Sequence, residues 1–434
     1  MATREDTSLR RSLTSLVPPK RIRALADALG VVQRRRKVDI VALVYALALG
    51  FSVGARRSLA GLRRAHERAT GTTLAPSAFY DRFTHRLTRL LELLVSDALS
   101  KLSCARPRLA GVFQAFRDVL VTDSTILRLH NALEEAFPSI WRHYMRASAK
   151  LNIVMNVVGR GPRRLQIAAG STHELHLLTP GRWIRGKLLI FDLGYFQCEM
   201  FAAIGQQQGW YLCRLKAHTN PRLVASHQAA ERWTVGYHLQ PVIPDLRGQS
   251  ADFDGEIPYR IKWGHGRGWH TLRLRVVGVW HEQAGEYRWY ATNAPRSQLH
   301  PSNIGALYAA RWEVELLFRE LKVHYRIEHL PTRRRAVTES LIYAALLTLV
   351  LGRRLRQWLA RSRPQLEARL TLDRWAVMLS SFAHDVLDVL FGPPRLRLPL
   401  ARRLKRLLLH EAKDPNLWRL PLPERAQLGL LLPG

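Results

Sequence analysis

The segment YAARWEVELLFRELK, residues 308–322, carries three glutamates among apolar residues, and only some positions on a helix suit a carboxylate for chemistry. On a helix that turns about 100° per residue, the apolar side chains share one face, and Glu315 lies at the border of that face. Glu313 and Glu320 fall on the far side, where we expect ordinary surface glutamates. Glu315 is therefore the candidate for chemistry. It belongs to a narrow polar stripe that consists of Tyr308, Arg311, Glu315 and Lys322.

Two aspartates lie in or directly after apolar, β-branched runs. Asp123 lies inside DVLVTDSTIL, where an ionised carboxylate without a partner is energetically costly. Asp192 closes KLLIFD, at the carboxyl end of a predicted parallel strand, which is where α/β sheets place their ligands. Taken singly, Asp192 also fits a helix N-cap, and Glu315 also fits a half-buried ion pair with its basic neighbours.

The three carboxylates together form a set of oxygen ligands. Hard divalent cations prefer such ligands, with Mg²⁺ and Mn²⁺ foremost. Two such ions about 3.5–4 Å apart would activate an attacking oxygen and stabilise the leaving oxygen in a phosphodiester displacement. The sequence thus predicts phosphoryl transfer. We predict no zinc site, because HELH at residues 173–176 has the wrong spacing for an HExxH helix and is interpreted as a loop.

The chain is strongly basic. Its 434 residues include 67 Lys and Arg against 34 Asp and Glu, a formal net charge of +33, with arginine runs at 34–36 and 333–335. A genome rich in G and C would explain the preference for arginine over lysine but not the shortage of acidic residues. Guanidinium groups suit phosphate, so the composition predicts nucleic acid as the partner.

The cysteines and the apolar runs indicate the compartment. Three cysteines without a CxxC pair, and an N-terminus without a signal-peptide pattern, predict a reducing cytoplasm. The longest apolar run, residues 40–55, is shorter than the roughly 20 residues that span a bilayer. We therefore predict a core helix there and no membrane association.

The hydrophobic periodicity changes along the chain. Helical spacing at both ends encloses a region of short β-branched runs, which predicts three strands followed by strand, helix and strand. Gly-rich and Pro-rich turns then separate alternating runs that predict antiparallel hairpins. The predicted fold is α/β, a mixed-sheet core with an antiparallel β insertion between all-helical flanks. The predicted regions are a basic helical DNA-binding region at 1–112, the first part of the core at 113–219, the insertion at 220–285, the second part of the core at 286–330, and a helical C-terminal region at 331–434.

The polar stripe carries a resemblance to a known family. The spacing Tyr-x2-Arg-x3-Glu-x6-Lys at 308–322 resembles the signature of the DDE transposases of bacterial insertion sequences, in particular family four. DST at 123–125 and FDLGYF at 191–196 are similar to the regions that hold the family's two aspartates. The resemblance covers about residues 115–325. It implies a ribonuclease H-like core and cut-and-paste transposition, in which a metal-activated water nicks the element end and the freed 3′-hydroxyl attacks DNA.

Residue by residue, the resemblance implies metal ligands and phosphate contacts. Asp123, Asp192 and Glu315 would bind Mg²⁺ or Mn²⁺, in the form of two ions. The other members of the stripe, Tyr308, Arg311 and Lys322, would hold phosphates near the cut. The implied partners are double-stranded DNA, as element ends and target, and a second copy of the chain in a homodimer on DNA.

Weaker similarities concern three further residues. Arg214 and Lys216 in WYLCRLK share one strand face by alternation and resemble a basic pair beside the DNA end. Trp289 resembles in position a tryptophan on which some relatives stack a flipped base. In YRWY, however, alternation puts Tyr287 and Trp289 on one face, so a core position is the simpler interpretation of this tryptophan.

Two alternatives stay open at this point. The first is a DNA-binding protein that descends from a transposase and has lost catalysis, against which the complete set of carboxylates argues. The second is another ribonuclease H-like enzyme, a resolvase or nuclease, which needs neither the insertion nor the spaced signature.

Overall fold

A computed structural model describes residues 3–414, with gaps at 33–37, 52–56, 104–112, 142, 159–160, 228–233, 247, 249, 263–265, 329, 331, 364–365 and 367–368. The basic run at 34–36 lies outside the described residues. The described residues form one large mixed sheet, and helical regions precede and follow it in the chain. The predicted mixed α/β class with helical flanks is confirmed.

The N-terminal region is helical. Its third helix is buried along its whole length, and it begins at Asp39, whose carboxylate accepts hydrogen bonds from the backbone N–H groups of Val41 (2.7 Å) and Ala42 (2.8 Å). The fourth helix ends at Gly71, which adopts a left-handed conformation with φ of 67°. The helices are α1 (Thr3–Leu16), α2 (Pro19–Ala28), α3 (Ile40–Leu49), α4 (Leu59–Thr70), α5 (Pro76–Tyr80) and α6 (His85–Ser103).

The described strands belong to a single sheet. They are β1 (Asp118–Arg128), β2 (Ser148–Asn156), β3 (Gly161–Ala169), β4 (Lys187–Phe191), β5 (Trp210–Arg214), β6 (Arg222–Ser226), β7 (Ala251–Ile261), β8 (Gly268–His281) and β9 (Glu286–Thr292). Two helices lie between strands, α7 (Cys198–Gln206) and α8 (Leu239–Val242). The predicted order of three strands, then strand, helix and strand, is confirmed.

The strand order across the sheet is β3-β2-β1-β4-β5-β9-β8-β7-β6. The central strands β1, β4 and β5 are parallel, β2 pairs antiparallel with β1, and β3 pairs antiparallel with β2. The pairs β6–β7, β7–β8, β8–β9 and β9–β5 are also antiparallel, so the strands of 220–285 continue the core sheet. That this region is a separate insertion stays a prediction.

The C-terminal region is helical as well, and it packs on the N-terminal one. Helix α11 contacts α6, α1 and α3, so the two flanks share one apolar core. The helices are α9 (Pro301–Ala309), α10 (Trp312–Arg319), α11 (Arg335–Ser362), α12 (Leu372–Phe391) and α13 (Pro394–Glu411). Among the described residues, α11 alone is long and apolar enough to cross a membrane, and 89% of its most apolar window is buried inside the fold.

The two faces of the sheet bury different cores. Val119 and Val121 of β1 point to the core that includes the helical flanks, while Leu120 points to a second core under α7 and the strands β6–β8. Alternation along the strand produces this division. The middle of β1 and the end of β4 carry the candidate site.

Candidate active site

The register of the sheet brings the two predicted aspartates together. Strands β1 and β4 are parallel, and Thr122 is paired with Phe191, so the next residues along the two strands are Asp123 and Asp192. Strand β4 ends there, whereas β1 continues beside β2. The side chain of Asp192 makes no capping hydrogen bond to the short 3₁₀ helix that follows it. Asp192 therefore occupies the N-cap position, but its carboxylate is not used for capping.

The segment 308–322 is not one regular helix. Helix α9 ends at Ala309, and the backbone N–H of Val314 donates to the carbonyl of Arg311 (3.2 Å), which tightens the first turn of α10. After α10 the chain widens into a π-helical turn, Glu320–His324. Helix α10 packs on β1 and so brings Glu315 to the aspartates.

The three predicted carboxylates converge on the guanidinium of Arg311. Its Nη1 atom lies 2.7 Å from Glu315 Oε1 and 3.8 Å from Asp123 Oδ2, and its Nε atom lies 3.9 Å from Asp192 Oδ1. Of these three contacts, only the one with Glu315 is a close ion pair. It fits the alternative interpretation of Glu315 as part of a half-buried ion pair. The strand ends and the helix thus place one cation among three acidic side chains.

Burial and the local charges shift the pKa of Asp123. Burial is the largest cause and, together with the smaller effects of the charges of Asp192 and Glu174, raises the pKa of this carboxyl to about 6. The backbone N–H of Ser124, which donates to Asp123 Oδ1 at 2.7 Å, and the charge of Arg311 oppose this rise. Proton and cation therefore compete for Asp123 close to neutral pH.

A fourth acidic residue, Glu174, was missed by sequence reasoning. The hydroxyl of Ser124, next to Asp123, donates to Glu174 Oε1 at 2.5 Å, and Lys150 Nζ lies 3.9 Å from the same oxygen. Glu174 belongs to HELH, which we interpreted as a loop. The structure has a short 3₁₀ helix there, Glu174–Leu177. The partners lie 50 residues apart, so local spacing held no signal for this contact.

The predicted surface positions of Glu313 and Glu320 are wrong. Their exposed fractions are 8% and 3%, and helix α11 packs on the π-helical turn that carries Glu320. Glu320 accepts hydrogen bonds from both terminal nitrogens of Arg353 (3.0 and 2.5 Å) and from the hydroxyl of Tyr325 (2.8 Å). It is a buried structural ion pair.

The remaining members of the polar stripe lie at the rim of the site. Lys322 Nζ donates to the carbonyl oxygen of Ile126 on β1 (3.4 Å) and pairs with Glu328 (2.7 Å). The ring of Tyr308 packs edge-on against Tyr290, with 5.2 Å between centroids. Burial raises the pKa of the Tyr308 hydroxyl above its ordinary range, so this group stays protonated.

Of the two weaker basic candidates, only Arg214 is exposed at the end of a strand. Strand β5 ends at Arg214, and Lys216 lies beyond it, so the prediction that the two share a strand face is wrong. Lys216 Nζ donates to the carbonyl oxygen of Phe196 (3.3 Å) and lies 5.8 Å from the centre of that ring. The DNA contacts of both residues stay predictions.

Trp289 is packed within the sheet. It lies near-parallel to Phe253 (6.5 Å between centroids) and beside Tyr287 (5.3 Å), which confirms that Tyr287 and Trp289 share one face. Gly278 on β8 leaves the space for its ring, since an added Cβ there would lie 2.7 Å from it. These contacts fit the core interpretation, and base stacking stays a prediction.

The donor set of the site suits a hard cation, although the carboxylates are spread around Arg311. Within the described ranges no three His, Cys, Asp or Glu side chains are grouped as a ready metal site. Three carboxylates around one guanidinium leave an excess of negative charge, and all their free ligand atoms are oxygens. The residues therefore fit a divalent cation if the Arg311 side chain moves aside.

Comparisons with known proteins agree with the chemistry of this site. Residues 114–351, more than half of the chain, match the family model described as "Transposase DDE domain". The transposase for insertion sequence element IS231F of Bacillus thuringiensis subsp. israelensis is 21% identical over 320 residues, which cover 65% of this chain and 66% of that protein. The IS231D transposase of subsp. finitimus is 24% identical over 369 residues, 77% of this chain and 76% of that protein.

Among solved structures, the chain is similar to piggyBac transposase in a synaptic complex with hairpin DNA. That likeness has a TM-score of 0.47 at 9% identity, and it covers 98% of this chain and 86% of the other. The match to the DDE domain covers the two aspartates, the glutamate and the whole polar stripe. The chain therefore belongs to the transposases with a DDE domain, the family of bacterial insertion-sequence transposases.

Proposed function

We propose that this DNA transposase cleaves the ends of an insertion sequence and joins them to target DNA at the site formed by Asp123, Asp192 and Glu315. The observation that carries the proposal is the convergence of these three carboxylates, from two strands and a helix, on one guanidinium. Acidic side chains rarely gather in this way unless a cation or a reaction requires it. The assignment to family four rests on the spaced signature.

We propose that the carboxylates hold Mg²⁺ or Mn²⁺, in two-ion form. When bound, such ions supply activation of the attacking oxygen and stabilisation of the leaving oxygen. The chain contributes the placement: Asp123 and Asp192 are fixed by the paired strands, and Glu315 is fixed by the packing of α10 on β1. Rigid elements of this kind hold reacting groups in register better than loops do.

Arg311 has two roles in the proposal. Without DNA its guanidinium neutralises the carboxylates, which lowers their mutual repulsion. With DNA bound, the same group turns to a phosphate oxygen next to the cut, because a planar fork suits phosphate as well as carboxylate. Lys322 and the protonated Tyr308 hydroxyl hold further phosphate oxygens at the rim, and exposed Arg214 extends this basic surface.

The proposed partner is double-stranded DNA, bound by a homodimer in the bacterial nucleoid. The net charge of +33 supports binding that weakens steeply with salt, since each neutralised phosphate releases counterions. We propose a ribonuclease H-like core, which the central strands β1, β4 and β5 with antiparallel β2 support. An inactive DNA-binding relic is disfavoured because the acidic residues converge, and a resolvase or nuclease is disfavoured by the family match.

The decisive experiment compares the wild type with Asp192→Asn on a labelled duplex that carries the inverted repeat flanking the gene. Metal-dependent nicking by the wild type, lost in the variant, is the expected result. The control is Asp245→Asn, since Asp245 is an exposed aspartate in the region 220–285. We expect Ca²⁺ to support binding with little cleavage, because its coordination is looser. Binding without nicking by any of these proteins would favour the inactive relic.

A further inference from the structure

A loop beside the candidate active site presents large apolar side chains to solvent. The connection between β1 and β2 ends in a turn, whose described residues are 139–141 and 143–146 and which we call the aromatic loop. The exposed fractions are 58% for Ile140, 52% for Trp141 and 84% for Tyr144. Side chains of this size are usually covered in a folded protein, so a cluster of three at one turn marks an interaction surface.

The backbone of the aromatic loop is held by hydrogen bonds. The N–H of Ser139 donates to the carbonyl of Arg146 (3.1 Å), and the N–H of Tyr144 donates to the carbonyl of Trp141 (3.0 Å). The N–H of Trp141 donates to Ser139 Oγ (3.2 Å). At the base of the turn Phe137 is 3% exposed and anchors the connection in the core. The exposure of the apolar side chains is therefore built into the fold.

The surroundings of the aromatic loop are basic. The guanidinium of Arg335 lies 5.5 Å from the centre of the Phe137 ring and brings the run 333–335 to the base of the loop. Among the described residues, the exposed arginines of this surface are Arg128, Arg146, Arg333, Arg334 and Arg335, joined by His130 and His143. Of these, Arg335 also pairs with Glu339 (2.8 Å). The acidic residues of the same connection are Glu134 and Glu135. The aromatic loop thus presents apolar side chains that are surrounded by mostly positive charge. Such a surface suits a ligand that has both negative charges and flat apolar groups.

This surface continues directly from the candidate active site. Lys322 Nζ contacts the carbonyl of Ile126, and β1 reaches Arg128 two residues later, about 7 Å further along. On the other side, Ser171 N donates to the carbonyl of Pro138 (2.9 Å), while the next residue, Thr172, accepts from Lys150 (2.7 Å), which also lies beside Glu174. Arg128 lies five residues along β1 from Asp123, about 17 Å, so DNA that is bound at the carboxylates and runs along β1 would reach the base of the loop.

We propose that the aromatic loop binds unpaired bases of the DNA end next to the cut, with Trp141 and Tyr144 stacked on the bases and Ile140 as an apolar wedge. The proposal rests on the proposed function. Bases offer apolar faces beside phosphates, and aromatic side chains next to arginines are the usual means of binding them. A second copy of the chain fits less well, because a two-fold contact would bring the arginines of both copies together.

The test measures binding without cleavage, in Ca²⁺. Two probes are used, a fully paired duplex and a duplex with a few unpaired bases at one 3′ end, where 2-aminopurine reports stacking by its fluorescence. Trp141→Ala with Tyr144→Ala should weaken binding of the unpaired end by roughly tenfold or more, the effect of losing one stacked base. Binding of the paired duplex should change little. Trp141→Phe should keep most of the affinity and of the fluorescence quenching.

The matched control is Tyr237→Ala, which removes a tyrosine that is 59% exposed in another part of the fold. It should bind both probes as the wild type does. Equal weakening for the two probes, or none for either, would overturn the proposal. A change of sedimentation mass with unchanged DNA binding would also overturn it, in favour of a contact between protein copies.

The readout separates this proposal from the proposed function. Suppose that the wild type fails to nick DNA in Mg²⁺ but the loop variants still bind the probe with unpaired bases more weakly. The catalytic proposal then fails, and the proposal for the aromatic loop is supported. If nicking works and the loop variants bind both probes normally, only the loop proposal fails. Because the altered side chains are exposed, thermal unfolding of the variants should match the wild type and exclude misfolding.

Discussion

Two Arg–Glu pairs have their glutamates in the segment 308–322, and they differ in burial. Arg311 and Glu315 are joined at 2.7 Å, with side chains 19% and 32% exposed. Arg353 and Glu320 are joined at 2.5 Å, and both side chains are 4% exposed. The two glutamates are five residues apart, yet one faces the acidic site and the other faces the helical core.

The difference between the two pairs lies in how completely the charges are compensated. Glu320 has one arginine to itself and the hydroxyl of Tyr325 as a further donor. Arg311 is shared by three carboxylates, so negative charge is left over at a place that water and ions reach. A satisfied buried pair specifies packing, and an unbalanced, half-exposed one is suited to bind a cation.

The buried pair is part of a wider network that joins the two helical flanks. Arg57, which is 1% exposed, donates to the carbonyl of Leu47 (2.8 Å), the carbonyl of Tyr325 (3.2 Å) and the hydroxyl of Thr348 (2.6 Å). Burial lowers the pKa of Arg57 to about 9, which still leaves it charged at neutral pH. This network fixes the π-helical turn that contains Lys322.

The largest expected effect is the loss of activity when Glu315 is changed. Glu315→Gln should reduce strand cleavage by more than about 100-fold, with DNA binding and folding retained. This loss exceeds the roughly 10- to 100-fold that is typical when a residue that only supports a metal ligand is changed. Glu286→Gln, at the exposed start of β9, should be as active as the wild type. Cleavage assays on the native element end measure both. Full activity of Glu315→Gln would reject the catalytic assignment.

Stability should reverse the order of the two positions. Arg353→Ala should lower the free energy of unfolding by about 3–5 kcal/mol, because it leaves Glu320 charged and buried without its partner. Glu315→Gln should change it by no more than about 1 kcal/mol, since its pair is partly solvated. Urea unfolding followed by circular dichroism measures this difference. Similar values for the two variants would contradict the contrast in burial.

The raised pKa of Asp123 predicts that the free energy of unfolding of the metal-free protein depends on pH. Its value in the folded state, about 6, is above the ordinary 3.8, so the folded state binds more protons between these values and becomes less stable as pH rises through them. Asp123→Asn should therefore be more stable than the wild type above about pH 6, by at most about 3 kcal/mol, with the gain vanishing towards about pH 4.

Thermal unfolding in chelator across this pH range tests the effect. Addition of Mg²⁺ should then stabilise the wild type but not Asp123→Asn, because binding to the folded state raises stability. An advantage of the variant that grows as pH falls would show the opposite sign and would refute the prediction.

The smallest expected effect concerns Glu174. Because it holds the hydroxyl of Ser124 next to Asp123, Glu174→Gln should reduce cleavage by about 10- to 100-fold, less than the loss at Glu315. Ser124→Ala should behave similarly. The control is Glu199→Gln, at the exposed start of α7, which should leave cleavage unchanged. Unchanged cleavage in Glu174→Gln would reduce this contact to a packing role.

Sequence reasoning was sufficient where the relevant contacts are local or follow a register. The β-branched runs predicted the strands that carry Asp123 and Asp192, and parallel pairing then placed the two side by side. The polar stripe predicted that Arg311 and Glu315 lie together, since they are four positions apart, about one helical turn. The excess of arginine likewise indicated a nucleic-acid partner without any fold.

The tertiary structure alone decided which charges are compensated and which are buried. The burial of Glu320 depends on Arg353, 33 residues later, and the contact of Glu174 with Ser124 spans 50 residues. The angle of a residue on a helix follows from its position in the chain, because backbone hydrogen bonds are local. Which other element covers that side of the helix depends on residues far away in the chain, since packing is set by the whole fold.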